Sequence, residues 1–171
     1  MAAANQILKI ANKQIGYTED PPGSNKTKYG RKFGLDGVQW CAIFLWWCGN
    51  RAKEKFGGSN PIPHNANAAY IQDDIVKKGG KWVLKKTTSL QARKQALKKI
   101  RPGDVVCFDF GRMDAYRRHV GIVERVSGNY VYTIEGNTSS DDKGNQSNGG
   151  GVFGKKRKYN LICSAARPAY K

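Results

Sequence analysis

The sequence predicts an α+β fold, in which a group of helices precedes an antiparallel sheet. Apolar residues recur at helical spacing in the first half of the chain, most clearly between residues 3 and 15. The second half instead contains short β-branched and aromatic segments that are separated by turn residues. Because helices come first and strands second, rather than alternating, the two groups are expected to segregate.

Five helical segments are predicted in the first half. They cover residues 3–15, 26–37, 40–51, 65 or 67 to 78, and 89–99. The third segment is apolar almost without interruption, which predicts a buried central helix rather than a surface helix. Cys41 stands in its first turn, where the positive end of the helix dipole favours the nucleophilic thiolate form.

The predicted strands cover residues 82–84, 104–110, 119–126, 130–135, 152–153 and 161–165. A basic segment, residues 155–158, is expected to lie between the last two strands rather than inside one of them. The change from helical to strand patterning contains no linker, so the chain is predicted to form a single domain over residues 1–171.

The charge of the chain limits its partners. Its 30 lysines and arginines outnumber 13 aspartates and glutamates, which gives a net charge of +17. Such an excess favours polyanions, namely nucleic acid, an anionic membrane surface or a cell wall that carries teichoic acid. Neither a membrane span nor a signal peptide is predicted, because the necessary apolar stretches are missing from the sequence.

A cysteine nucleophile needs a nearby base, and the base needs a third group that orients it. The sequence offers two histidines. His64 lies in a proline-rich connection, whereas His119 begins a predicted strand after a polar loop, where a side chain can face a cleft. The four cysteines show no metal-binding spacing, so neither a metal nor another cofactor is predicted.

The pairing of the two central strands decides whether His119 meets an orienting group. A three-residue loop at Ser127–Asn129 would pair residues whose numbers sum to 256. His119 would then oppose Asn137, and Glu135 would oppose Gly121 on the same sheet face as His119. A two-residue loop would place Glu135 on the opposite face. Alternatively, Glu135 and Asn137 are ordinary residues of a strand end and a turn.

Short motifs occur in a fixed order along the chain. They are Trp40-Cys41-Ala42, Pro102-Gly103-Asp104, His119-Val120-Gly121 and Glu135-Gly136-Asn137. This ordered set resembles the CHAP domain (cysteine, histidine-dependent amidohydrolase/peptidase), a branch of the papain-like NlpC/P60 cysteine hydrolases. The resemblance implies a papain-like fold, with the cysteine on a core helix and the histidine on the sheet. It also implies that Cys41 is the nucleophile and His119 the base and acid, with Glu135 orienting the imidazole and Asn137 adding a polar group.

The chain departs from the family pattern next to the cysteine. Trp40 stands where many phage relatives have glutamine, and Gln39 lies one position further away. Asp36 is all that remains of an acidic calcium loop, so the sequence does not support a calcium site. The segment 141–145 is interpreted as a solvated turn. The backbone N–H of Cys41 is the predicted oxyanion donor.

The implied reaction is hydrolysis of an amide bond of peptidoglycan through a thioester. The bond is either the N-acetylmuramoyl-L-alanine amide or a peptide bond of the stem or cross-bridge. The predicted substrate contacts are Tyr29, Gln39, Trp40 and Tyr116, with core packing as the alternative for Trp40. The resemblance implies a phage endolysin that reaches the wall through a holin, or a virion-associated lysin. The expected form is a monomer that binds peptidoglycan and anionic wall polymers but not nucleic acid.

A different class of function explains part of the same sequence. A non-catalytic basic module that binds teichoic acid or nucleic acid would account for the net charge of +17 and for the aromatic residues. It would give no reason for the ordered cysteine, histidine and glutamate motifs, and the chain has no recognisable nucleic-acid-binding motif. The sequence therefore favours an enzyme over a binding module.

Overall fold

The computed structural model describes residues 2–111, 119–141 and 143–170. The helices are α1 (Ala4–Asn12), α2 (Lys28–Phe33), α3 (Cys41–Phe56), α4 (Ile71–Lys77) and α5 (Leu90–Ala96). The strands are β1 (Lys81–Leu84), β2 (Val105–Phe108), β3 (His119–Ser127), β4 (Tyr130–Thr138), β5 (Gly151–Lys158) and β6 (Ile162–Arg167). The predicted α+β fold is confirmed.

The strands form one antiparallel sheet in the order β1-β6-β2-β3-β4-β5. Apolar side chains cover both of its faces, because successive residues of a strand point to opposite sides. Val120 and Ile122 belong to the core shared with α1, α3 and α4, whereas Val123 packs with Ala96 of α5 on the other face. The strand β3, which begins at His119, is therefore held between two layers.

The helix α3 is the central helix that the sequence predicts. Residues 41–45 are buried, and the helix packs against α1, α2, β3 and β4. It begins at Cys41, directly after Trp40 takes a non-helical conformation, and it ends before Gly57, which adopts a positive φ of 78°. Within the described part of the chain, no helix is both long and apolar enough to cross a membrane.

The β3–β4 hairpin differs from its predicted geometry near the turn. Ser127 pairs with Tyr130, so the connection has two residues and the predicted three-residue loop is wrong. A β-bulge then places one extra residue, Glu124, in β3, since Val123 pairs with Thr133 while Arg125 pairs with Tyr132. The numbers of paired residues therefore sum to 257 between the turn and the bulge, and to 256 on the His119 side of the bulge.

The basic segment 155–158 lies inside β5, which corrects the prediction that it separates two strands. Its residues alternate: Lys155 and Arg157 are buried, and Lys156 and Lys158 are exposed. The ammonium group of Lys155 donates to the carbonyl oxygens of Ser139 and Asp141, each at 3.0 Å. These bonds offset part of the cost of burying its charge.

Candidate active site

His119 and Glu135 form a buried hydrogen-bonded pair on β3 and β4. The imidazole Nε2 lies 2.9 Å from Glu135 Oε2, and both side chains are fully buried. The pair exists because the bulge at Glu124 restores the register in which Glu135 lies beside Gly121. A Cβ atom at position 121 would lie 2.7 Å from Glu135 Cγ, so glycine there leaves room for the carboxylate.

Arg157 on β5 holds the other side of the Glu135 carboxylate. Its Nε and Nη2 atoms donate to Oε1 and Oε2 at 3.0 and 2.5 Å, and Thr133 Oγ1 donates to Oε1 at 2.6 Å. Burial raises the pKa of Glu135, but hydrogen bonds and charges from His119 and Arg157 outweigh this and lower it to about 2. The carboxylate is therefore ionised and fixed in one orientation.

Aromatic rings enclose His119 and Arg157 from the side of β2. The imidazole stacks on Phe108 and lies 6.0 Å from the ring centroid of Phe110. The guanidinium carbon of Arg157 lies 5.5 and 4.9 Å from the same two rings. This packing excludes water from the His119–Glu135–Arg157 line, so its hydrogen bonds act in a low dielectric.

The second nitrogen of His119 faces the cysteine side of the site. Nδ1 is buried and has no hydrogen-bond partner among residues 2–111, 119–141 and 143–170. Burial lowers the pKa of His119, but interactions with Cys41 and Glu135 more than compensate and raise it to about 9. The imidazole is therefore cationic at neutral pH, and Cys41 is one of the two groups that favour this charged form.

Two clefts share Gln39 as a lining residue, and Cys41 lines one of them. One cleft, of about 440 Å³, has walls of mixed polarity and is lined by Leu35, Val38, Gln39, Cys41, Ala66, Asn67 and Ala68. The other, of about 360 Å³, is mostly polar and is lined by Gln39, Asp109, Phe110, Asn145, Gln146, Ser147 and Asn148. Gln39 is exposed and lines both, so it can contact a ligand that crosses from one cleft to the other.

Asn137 is buried at a second irregularity, between the pairs that Glu135 and Thr138 form with β5. Its φ is 59°, a left-handed conformation that asparagine tolerates better than most residues. Neither polar atom of its side chain has a hydrogen-bond partner in the described chain. The structure thus places Asn137 in β4, two positions after Glu135.

Tyr29 and Trp40 belong to the core rather than to a cleft wall. Both are fully buried, and their ring centroids lie 5.4 Å apart within an aromatic cluster that also includes Tyr17, Phe44 and Trp47. The predicted stacking of these two rings on a substrate is corrected, because neither has accessible surface. The fourth predicted contact, Tyr116, lies outside the described residues.

The remaining histidine and the nearest cysteine have local roles. His64 Nε2 lies 3.0 Å from the Phe33 carbonyl oxygen, and its ring stacks on Phe33 at 3.8 Å. Cys48 is fully buried, and this burial raises the pKa of its thiol. Neither residue takes part in the His119–Glu135 pair.

The residues present do not fit a calcium loop around Asp36. Asp36 Oδ1 accepts from the Thr27 N–H at 2.7 Å, and Oδ2 lies 3.7 Å from Arg31 Nη1. Asp141 Oδ1 instead accepts from the backbone of Lys143 and Gly144. Both carboxylates thus organise local backbone, and the described residues contain no cluster of three metal-binding side chains.

Gly121→Ala is expected to displace Glu135 and to impair both the fold and the site. The new methyl group would meet Glu135 Cγ at 2.7 Å and Thr133 Cβ at 3.3 Å, an overpacking that costs about 1–3 kcal/mol. Urea denaturation would measure this loss. Gly154→Ala is the control, since Ile15 Cδ1 at 3.9 Å is the nearest atom to its added methyl. Equal stability of the two variants would contradict the close contact.

Comparison with known proteins places this geometry in a family. The family model described as the CHAP domain matches residues 33–137, more than half of the chain, and this range includes Cys41, His119, Glu135 and Asn137. A search with the sequence finds no significant match among curated proteins.

Two solved structures show the same fold. One is described as a wild-type endolysin, LysIME-EF1, with a TM-score of 0.59 and 17% identity; the match covers 100% of this chain and 66% of that one. The other is Ly7917, with a TM-score of 0.52 and 15% identity, covering 97% of this chain and 62% of that one. The chain thus spans just under two thirds of their length. By its family match and its fold, the chain belongs to the CHAP domain family.

Proposed function

We propose that the chain is a peptidoglycan hydrolase that cleaves an amide bond with Cys41 as nucleophile and His119 as general base and acid. The observation that carries this proposal is the position of Cys41 at the start of α3, beside a buried imidazole that Glu135 orients. Membership of the CHAP family supports the hydrolase class. The endolysin description of one structural relative supports the bacterial wall as its target.

In the proposed mechanism, each ring nitrogen of His119 has its own proton role. Nε2 keeps its proton in the bond to Glu135, and Nδ1 carries the proton that is exchanged with the reactants. The Cys41 thiolate attacks the carbonyl carbon, and Nδ1–H then protonates the leaving amine as the C–N bond breaks. The neutral imidazole next takes a proton from water, which attacks the thioester and releases the acid and the thiolate.

The oxyanion that forms during attack needs hydrogen-bond donors. The backbone N–H of Cys41 lies in the first turn of α3, where amide groups have no partner within the helix. The side-chain amide of Gln39 lines both clefts and can supply a second donor. Together they would place positive dipoles where the negative charge develops.

The two clefts suggest how a muropeptide would lie. In the cleft that Cys41 lines, the methyl groups of Ala66 and Ala68 suit contact with a small apolar side chain such as that of alanine. The polar cleft presents amide, hydroxyl and carboxylate groups, which suit peptide and sugar groups. A substrate that crosses Gln39 would place its amide bond at Cys41. Both a muramoyl-alanine amide and a peptide bond next to alanine have this form.

Digestion of purified walls tests the proposal and identifies the bond. Wild type is expected to clear a wall suspension, and Cys41→Ala is expected to leave it turbid. Mass spectrometry of the products then distinguishes an amidase, which frees the amino group of L-alanine, from an endopeptidase, which frees an amino group within the stem or cross-bridge. Clearing by Cys41→Ala at the wild-type rate would end the cysteine mechanism.

A further inference from the structure

A row of cations lies on one face of β3, β4 and β5, near the turn between β3 and β4. Arg125 pairs with Tyr132, which pairs with Lys156, and Tyr130 pairs with Lys158. Directly paired residues of antiparallel strands point to the same side of the sheet. These five residues form one surface, named here the basic sheet face.

The tyrosines organise the cations without neutralising them. The guanidinium carbon of Arg125 lies 3.3 Å from the ring centroid of Tyr132, and Lys156 Nζ lies 4.3 Å from that of Tyr130. Arg125, Lys156 and Lys158 are exposed, and none of the ion pairs within the described ranges includes them. Their positive charge is therefore available to an external anion.

The bulge in β3 decides which residue lies opposite Tyr132 in this row. If the register of the Val123–Thr133 pair continued, Glu124 would oppose Tyr132 and would place a carboxylate beside Lys156. The extra residue instead leaves Glu124 without a partner in β4 and puts Arg125 opposite Tyr132. The same irregularity thus aligns His119 with Glu135 and puts a cation, rather than a carboxylate, in the position opposite Tyr132.

We propose that the basic sheet face binds the anionic phosphodiester polymer of the cell wall, the chemistry of teichoic acid. This rests on the proposed function for its location at the wall. Lys156 and Lys158 are two residues apart, or about 7 Å, and Arg125 and Lys156 are two strands apart, or about 10 Å. A flexible chain with one phosphate per short repeat can contact cations at these spacings.

One observation favours this polymer over nucleic acid, and another places its binding surface away from the clefts. Proteins that bind single-stranded nucleic acid offer aromatic rings to the bases, whereas Tyr130 and Tyr132 are already engaged by cations. Arg125 lies six positions after His119 in β3, which is about 20 Å along an extended strand. A polymer bound at the face would therefore hold the chain on the wall and leave the clefts accessible.

Binding in the Cys41→Ala background tests this inference without hydrolysis. Retention on intact walls is compared with retention on walls from which acid has stripped the phosphodiester polymer. Combining Arg125→Gln, Lys156→Gln and Lys158→Gln is expected to weaken retention on intact walls about tenfold, as three exposed ionic contacts are lost. The matched control combines Lys78→Gln, Lys94→Gln and Lys98→Gln, three exposed lysines elsewhere, and is expected to retain binding to intact walls within about twofold of the parent.

Three results would overturn the inference. They are equal retention of the parent on intact and stripped walls, equal loss in the two triple variants, and stronger competition by single-stranded DNA than by a glycerol phosphate oligomer with as many phosphates. Hydrolysis of stripped walls by the chain with Cys41 intact tests the proposed function separately. Loss of polymer binding with hydrolysis intact would overturn only this inference. Loss of hydrolysis with polymer binding intact would overturn only the proposed function.

Discussion

His119→Ala is expected to lower kcat/KM for wall hydrolysis by at least about 10²- to 10⁴-fold, the usual contribution of general acid–base catalysis. The variant loses the group that protonates the leaving amine and activates water. The thiolate also loses its cationic neighbour, since interactions with Cys41 and Glu135 raise the pKa of the imidazole to about 9 after burial has opposed them. Initial rates of release of new amino groups from purified walls would measure the loss.

His64→Ala is the matched control, because His64 is exposed, packs on Phe33 and lines neither of the two clefts. It is expected to retain hydrolysis, and circular dichroism is expected to show that both variants are folded.

Wild-type activity is expected to fall as the pH rises through about 9, where the imidazolium loses its proton. In Glu135→Gln this alkaline limb should move to lower pH, since a neutral amide stabilises the cation less. An unchanged limb would argue against the role of Glu135.

The sequence predicts most of the fold because its patterns are local. Apolar residues at helical spacing and an unbroken apolar run define α1 and α3, and the order of the motifs brings cysteine and histidine to one site. The hairpin is harder to predict, because the two-residue turn shifts the pairing register by one residue and the bulge at Glu124 shifts it back before His119. The predicted pairing of Glu135 with Gly121 thus depends on two deviations that no local pattern reveals.

Arg157 shows why one site residue could not be found from the sequence. It lies in a run of four basic residues, which is typical of a solvated surface, and it falls outside the matched range 33–137. Burial of Lys155 and Arg157 follows from the pairing of β5 with β4, a tertiary contact. Alternation within the run, once it is placed in a strand, is the signal that could have identified Arg157. The burial of Trp40 has the same kind of cause, because its ring packs on Gly136 of β4.

Arg157→Met is expected to destabilise the fold by about 3–5 kcal/mol, since it breaks the buried ion pair between Arg157 and Glu135 by removing one partner. The variant removes both guanidinium bonds to the carboxylate, at 3.0 and 2.5 Å. In the wild type, ionised Glu135 contributes to the free energy of unfolding above its ordinary pKa of 4.5. This contribution is lost as the pH falls toward about 2. In Arg157→Met the pKa rises, so acid unfolding should begin at higher pH. Urea denaturation between pH 3 and pH 7 would measure both effects.

A double-mutant cycle separates this pairing from simple loss of packing against Phe108 and Phe110. Arg157→Met should cost much less in a Glu135→Gln background, where the carboxylate that Arg157 pairs with is already absent. Lys156→Met, at the exposed neighbouring position, should change the free energy of unfolding by less than about 0.5 kcal/mol. Arg157→Met should also lower turnover and shift the alkaline limb set by His119, because the carboxylate that orients the imidazole is no longer fixed. If Arg157→Met lowered the free energy of unfolding equally in the two backgrounds and left the alkaline fall in activity unshifted, Arg157 would act only through packing.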